Sequence, residues 1–111
     1  MSTADRGVFN AQRFPPPPPA SVTPTEQGTG LPEGPGIYFV WDGPAIVYVG
    51  LSRKLKNRAT LHHPKICESD RLSFIEFPDE DDLVRVETFY IGVIYPRRNT
   101  ISKKFPWWRI Q

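Results

Sequence analysis

The sequence has a single cysteine, Cys67, and no long hydrophobic segment. One cysteine cannot form an internal disulfide, and no stretch approaches the roughly 20 consecutive apolar residues of a transmembrane helix. The first ten residues, MSTADRGVFN, contain no apolar run of the kind found in signal peptides. We therefore expect a cytoplasmic protein with no membrane partner.

The composition is that of an ordinary globular protein. Hydrophobic residues make up 39% and charged residues 23% of the chain, which argues against a collagen-like or wholly disordered class. A length of 111 residues leaves room for one domain.

The charge is unevenly distributed along the chain. Residues 51–67 and 88–111 are basic and contain no acidic residue, whereas the segment between them is acidic. If the fold brings the basic segments together, they form a surface suited to the phosphates of nucleic acid; otherwise they are two solvated faces. The residues that we expect to contact nucleic acid are Arg53, Lys54, Lys56, Arg97, Arg98, Lys103 and Lys104.

Residues 1–31 lack apolar periodicity and include five consecutive prolines, Pro15 to Pro19. Such a run favours an extended polyproline II conformation. It serves either as a docking site for a proline-reading partner or as a stiff arm laid on the domain surface, and we favour the arm. The predicted domain then covers residues 32–101, followed by a basic and aromatic tail, residues 102–111.

Three segments have the composition of β-strands. Residues 36–41 and 45–49 are rich in aromatic and β-branched residues and flank a turn, which predicts a hairpin. Residues 71–77 predict a third strand.

Two helices are predicted beside these strands. Ser52 is expected to cap a basic helix that reaches about His63. The acidic residues 79–82 favour the start of a second helix, which Pro96 ends. The resulting order, ββαβα, predicts an α+β fold.

A glutamate interrupts the apolar stripe of the second helix. The stripe consists of Leu83, Val86, Tyr90, Val93 and Ile94. Glu87 falls inside it at helical spacing, so its carboxylate is directed toward the sheet. A buried carboxylate is costly unless a metal ion or strong hydrogen bonds satisfy it, so Glu87 is a candidate metal ligand, with an arginine-paired glutamate as the alternative.

The first helix carries a candidate phosphate-binding pair. Arg58 and His62 are four residues apart and share one helical face. A guanidinium binds phosphate with two hydrogen bonds, and an imidazole exchanges protons near neutral pH. His63 is expected to face solvent, and a zinc site with Cys67 is not expected because a second ligand pair is lacking.

The residues resemble those of the GIY-YIG endonucleases. Gly36-Ile37-Tyr38 and Tyr48-Val49-Gly50 match the two tyrosine triplets of that family on the expected hairpin. Arg58 follows Tyr48 by ten residues, Glu87 lies within the second helix, and Asn99 follows that helix, as in the family. The resemblance covers about residues 34 to 100.

The resemblance implies a small three-stranded antiparallel sheet flanked by helices. It also implies an endonuclease that hydrolyses DNA, most simply double-stranded DNA, with one divalent ion, Mg²⁺ or Mn²⁺. The implied site residues are Tyr38, Tyr48, Arg58, His62, Glu87 and Asn99, with Glu87 as the metal ligand.

The resemblance also implies a role for each residue. Arg58 clamps phosphate, and Tyr38 acts as the general base, with Tyr48 as the alternative. His62 matches a position that is histidine in some branches and tyrosine in others. Asn99 orients Glu87 or binds phosphate.

Two features bear on this site. Leu51 stands where many family members have lysine, which removes a positive charge near the metal. The two tyrosines share a face only if paired residue numbers of the hairpin sum to an even value, for example with Trp41 opposite Ala45. A longer loop without a bulge places them on opposite faces.

Two other functions remain open. Leu51 motivates a nucleic-acid-binding module of the same fold without catalysis, and the prolines motivate a protein-interaction adaptor. Trp107 and Trp108 either stack on bases or pack on the domain or on a second subunit. A homodimer would allow two sites to cut two strands.

Overall fold

The computed structural model describes residues 14 to 99. The elements are strands β1 (Gly36–Asp42) and β2 (Ala45–Ser52), helix α1 (Leu55–Arg58), strand β3 (Arg71–Glu76), a 3₁₀ turn (Glu80–Asp82) and helix α2 (Leu83–Ile94). The strands form an antiparallel sheet in the order β2-β1-β3. The predicted α+β fold and the order ββαβα are confirmed. Within residues 14 to 99, no helix is long and apolar enough to cross a membrane.

A β-bulge sets the register of the β1–β2 hairpin. Asp42 pairs with Ala45 and Trp41 with Ile46, so the hairpin does not use the register with Trp41 opposite Ala45. The register then shifts, and Val40 pairs with Tyr48. Because of the extra residue in the bulge, the two residue numbers of each pair from Val40–Tyr48 onward add to an even value. The tyrosines of both triplets therefore lie on one face of the sheet.

Helix α1 is much shorter than predicted. It begins after Lys54 and ends at Arg58, whereas the sequence predicted a helix from Ser52 to about His63. The Ser52 hydroxyl accepts a hydrogen bond from the Lys54 backbone, at 2.9 Å, in the turn before the helix. After α1, the Thr60 side chain accepts a hydrogen bond from the backbone of His62, at 3.2 Å, and stabilises a turn instead of another helical turn.

Helix α2 packs on the face of the sheet opposite the tyrosines. Leu83, Val86 and Tyr90 are buried there against residues of β1 and β2, which confirms most of the predicted stripe. Val93 is 39% exposed, so its predicted burial is wrong. It lies in the last turn of the helix, and a helical face is buried only where another element covers it. The helix ends before Pro96, as predicted.

The segment from residue 14 to residue 31 lies against the domain. Val22 pairs with Leu72 through backbone hydrogen bonds, and Leu31 is buried in the core. The Phe14 ring stacks on Phe89 of α2, with ring centroids 4.2 Å apart. Residues 14 to 31 therefore pack on the domain, and Leu31 contributes to its core.

Candidate active site

The two tyrosines meet on one face of the hairpin. Their ring centroids are 6.2 Å apart; Tyr38 is only 1% exposed, and Tyr48 is half-buried. The Tyr38 ring lies over Gly50, where an added Cβ would be 2.3 Å from the ring. The glycine of the second triplet therefore makes room for the tyrosine of the first.

The histidine at this site is His63. Its Nε2 atom lies 3.0 Å from the Tyr38 hydroxyl, and its ring centroid is 5.2 Å from that of Tyr48. His63 is 6% exposed, whereas His62 is exposed to solvent. The prediction that His63 faces solvent is therefore wrong, and His63, not His62, contacts the tyrosines. Because α1 ends at Arg58, the helical spacing that paired Arg58 with His62 does not exist.

Arg58 supplies positive charge to this group. Its side chain interacts with the Tyr38 hydroxyl and opposes the effect of burial on the pKa of both tyrosines. Arg58 itself is exposed to solvent. The guanidinium is thus accessible to solvent and also acts on the two tyrosines.

Burial dominates the protonation of the site. It raises the pKa of Tyr38 well above the usual range, and the neighbouring Tyr48 adds to this effect. Burial also raises the pKa of Tyr48, with a further contribution from Glu87. Burial, together with the charges of Arg58 and Lys65, lowers the pKa of His63 to about 4. At neutral pH, His63 is uncharged and both tyrosines are phenols.

Glu87 is half-buried on α2, as the sequence predicted. Burial raises the pKa of its carboxyl group, and a hydrogen bond from the Leu51 backbone opposes this effect. The negative charge of Glu87 also raises the pKa of Tyr38 and of Tyr48. Among residues 14 to 99, no cluster of three or more histidine, cysteine, aspartate or glutamate side chains is arranged to hold a metal. A lone carboxylate fits Mg²⁺, which retains several waters and is often bound by one or two carboxylates with substrate phosphate.

Asn99 contacts the backbone of β2. Its Oδ1 accepts a hydrogen bond from the Val49 N–H at 2.8 Å, and its Nδ2 donates to the Val49 carbonyl at 3.0 Å. The sequence had suggested a contact with Glu87 or with phosphate. The structure instead places the amide on the outer edge of the strand that carries Tyr48, because β2 has no strand neighbour on that side.

Two of the predicted nucleic-acid contacts, Arg97 and Arg98, form ion pairs with aspartates that are distant in the sequence. Arg98 pairs at 2.6 Å with Asp70, which is 1% exposed, so Arg98 stabilises the domain core instead of facing a ligand. Arg97 forms an exposed pair with Asp42 at 2.7 Å. The sequence alone did not show the buried carboxylate that Arg98 balances.

The remaining basic residues lie around α1 or outside the described residues. Arg53 forms an exposed pair with Glu80 at 3.2 Å, Lys54 is exposed and Lys56 is half-buried. Some predicted contacts belong to the tail and lie outside residues 14 to 99. They are Lys103 and Lys104, and Trp107 and Trp108 of the tail also lie outside these residues.

Solved structures with the same architecture are known. The chain is similar to the GIY-YIG N-terminal endonuclease domain of UvrC from Thermotoga maritima, described as bound to its catalytic divalent cation, magnesium. The TM-score is 0.53 at 24% identity, covering 61% of this chain and 85% of that one. A tyrosine-to-phenylalanine point mutant of that domain, also bound to its cation, matches with a TM-score of 0.53 at 25% identity, covering 84% of its chain.

No protein-family model and no curated protein matches the sequence. The assignment therefore depends on the fold together with the five sequence elements, and these agree. The strand order, the hairpin that carries both tyrosines and the helix that carries Glu87 show that the described part of this chain has the fold of a GIY-YIG domain.

Proposed function

We propose that this protein is a metal-dependent endonuclease that hydrolyses DNA phosphodiester bonds by in-line attack of water. The observation that carries the proposal is the position of Glu87, whose half-buried carboxylate acts electrostatically on both tyrosines of the triplets. A half-buried carboxylate and an arginine that both act on the same two tyrosine hydroxyls are suited to a cation and a phosphate.

Glu87 would hold the ion, Mg²⁺ or Mn²⁺. When bound, the ion supplies positive charge to a phosphate oxygen and acidifies water. The Leu51 backbone hydrogen bond keeps the Glu87 carboxylate oriented and favours its charged form.

Tyr48 is the better candidate for the general base, which would accept a proton from the attacking water as a phenolate, after its own proton has passed to solvent; the positive charges of Arg58 and of a bound ion would favour that form. The sequence favoured Tyr38, but Tyr38 is 1% exposed and its hydroxyl contacts His63, so water reaches it less easily. Tyr48 is half-buried and so more accessible to water; Glu87 raises the pKa of its hydroxyl, whereas Arg58 lowers it. Tyr38 then supports Tyr48 from the protein interior.

Arg58 would bind the scissile phosphate. It is exposed to solvent yet close enough to act on both tyrosines, and a guanidinium stabilises the charge that develops on phosphoryl oxygens. The surrounding contacts to double-stranded DNA would come from Arg53, Lys54 and Lys56, with Lys103 and Lys104 of the tail. A cytoplasmic location and a homodimer that cuts both strands remain part of this proposal.

A binding module without catalysis is the second candidate. Leu51 packs against the apolar cluster around α2, so the position next to the second triplet contributes no charge. This module would bind DNA through the same basic surface and leave it intact.

Cleavage of supercoiled plasmid DNA in Mg²⁺ or Mn²⁺ tests the proposal. We expect wild-type protein to nick or linearise the plasmid and Glu87→Gln to lose at least about 100-fold of the rate, because the amide removes the charge that binds the ion. Glu68→Gln changes an exposed glutamate and serves as the matched control.

The outcomes separate the candidates. Cleavage that persists in Glu87→Gln would refute the proposed metal site. DNA binding by wild-type protein, with no cleavage in either metal, would establish the binding module. Nicked product without linear product would contradict double-strand cutting by a dimer, and a larger loss for Tyr38→Phe than for Tyr48→Phe would restore Tyr38 as the base.

A further inference from the structure

His63 is held by hydrogen bonds at both ring nitrogens. Its Nδ1 atom lies 2.9 Å from the backbone nitrogen of Lys65, and its Nε2 atom lies 3.0 Å from the Tyr38 hydroxyl. A backbone N–H can only donate a hydrogen bond. The Nδ1 atom must therefore present a lone pair to Lys65.

This contact determines where the ring proton is. A neutral imidazole carries one proton, so with Nδ1 as the acceptor the proton is on Nε2. A protonated ring would direct an Nδ1–H toward the Lys65 N–H, donor against donor. Burial and the nearby positive charges of Arg58 and Lys65 disfavour that form as well, since they lower the pKa of His63 to about 4.

We infer that His63 is a positioning residue that donates a hydrogen bond from Nε2 to the Tyr38 hydroxyl, with its tautomer set by the Lys65 backbone. His63 is then not a base that accepts the Tyr38 proton. The donated hydrogen bond occupies one lone pair of the Tyr38 oxygen and directs the phenol proton away from the histidine.

The arrangement of charges around Tyr38 agrees with this assignment. Arg58, like His63, offers the oxygen a donor, whereas Tyr48 and Glu87 raise the Tyr38 pKa. The phenol proton of Tyr38 is thus available to Tyr48, whose pKa the hydrogen bond from Tyr38 lowers. The benefit to DNA cleavage depends on the proposed nuclease function, but the hydrogen-bond direction does not.

Nuclear magnetic resonance of ¹⁵N-labelled histidine tests the tautomer directly. The chain has only two histidines, so His62→Ala and His63→Ala assign the signals. At neutral pH we expect the His63 Nε2 to carry the proton and Nδ1 to be bare. A protonated Nδ1 in the wild-type protein would overturn the inference, whether or not the protein cleaves DNA.

A second measurement determines the direction of the hydrogen bond from the oxygen side. Tyr38 is replaced by a fluorinated tyrosine with a lower ordinary pKa, and ¹⁹F resonance follows its titration. Removing a donor raises a phenol pKa, whereas removing an acceptor lowers it. We expect His63→Ala to raise this pKa by about one unit, a tenfold change in acid dissociation, and His63→Gln, which retains a donor, to restore part of it.

His62→Ala is the matched control, because the adjacent histidine is exposed and should leave the titration unchanged. A pKa that falls or stays constant in His63→Ala would reject the donor role. Plasmid cleavage is measured separately. A protein that cleaves DNA but has no proton on the His63 Nε2 would refute this inference and leave the proposed nuclease function intact. A protein that does not cleave DNA but has a proton on the His63 Nε2 would refute the proposed nuclease function alone.

Discussion

The side-chain amide of Asn99 hydrogen-bonds both backbone groups of Val49, at 2.8 and 3.0 Å, and so takes the place of a neighbouring strand. This pairing secures the edge of β2 next to Tyr48. Asn99→Asp removes the donor and places a carboxylate oxygen against the Val49 carbonyl, so we expect a loss of about 1 to 3 kcal/mol in the free energy of unfolding. Urea denaturation measures the loss. Asn57→Asp, on an exposed position of α1, is the control, and equal losses in both variants would contradict the proposed pairing.

The neighbouring arginines Arg97 and Arg98 should differ strongly in their contribution to stability. Arg98 pairs with a carboxylate that is 1% exposed, and Arg98→Leu leaves that buried charge without an opposing charge, with only the Cys67 backbone N–H still donating to it. We expect a loss of about 3 to 5 kcal/mol in the free energy of unfolding. Arg97→Leu breaks only an exposed pair and should cost no more than about 1 kcal/mol. Thermal and urea unfolding of both variants check the difference, and similar losses would show that Asp70 is not buried as described.

Two glycines should respond in opposite directions to replacement by alanine. A Cβ at Gly50 would lie 2.3 Å from the Tyr38 ring, which forces a shift in the site and costs about 1 to 3 kcal/mol. A Cβ at Gly92 meets nothing within 4 Å, and since Gly92 is inside α2, alanine should stabilise the helix by about 0.5 to 1 kcal/mol. Unfolding midpoints measure both effects. A stabilising Gly50→Ala would mean that the tyrosine ring does not lie over the glycine.

Stability should depend on pH through His63. Its pKa falls from 6.5 to about 4 on folding, so the folded protein binds fewer protons than the unfolded chain between these values. The free energy of unfolding is therefore unaffected by this group above pH 6.5 and decreases as the pH falls toward 4, by at most about 3 kcal/mol.

Denaturation at a series of pH values, compared between wild type and His63→Gln, isolates this contribution from that of the carboxyl groups. The variant should lose less stability than the wild type over this range. His62→Gln should keep the wild-type slope, because that residue is exposed. If His62→Gln, and not His63→Gln, changed the pH dependence of the free energy of unfolding, His62 would be the buried histidine.

Much of the fold was predictable because its signals are local. The two tyrosine triplets lie on strands whose composition shows them, and the turn between them marks the hairpin. Glu87 was found because helical periodicity within a single element reports which face is buried. The length of α1 was missed because basic residues with good helix propensity do not reveal where tertiary contacts end a helix.

The sequence by itself determined the strand and helix order, the two triplets and the half-buried carboxylate, since each depends on residues close together in the chain. Only the tertiary structure decided which histidine reaches Tyr38, that a bulge brings Tyr48 to the same face, and that Arg98 balances a buried aspartate. Arg98 and Asp70 are 28 positions apart in the sequence, and Tyr38 and His63 are 25 positions apart. Contacts over such separations depend on how the elements pack, which periodicity within one segment does not report.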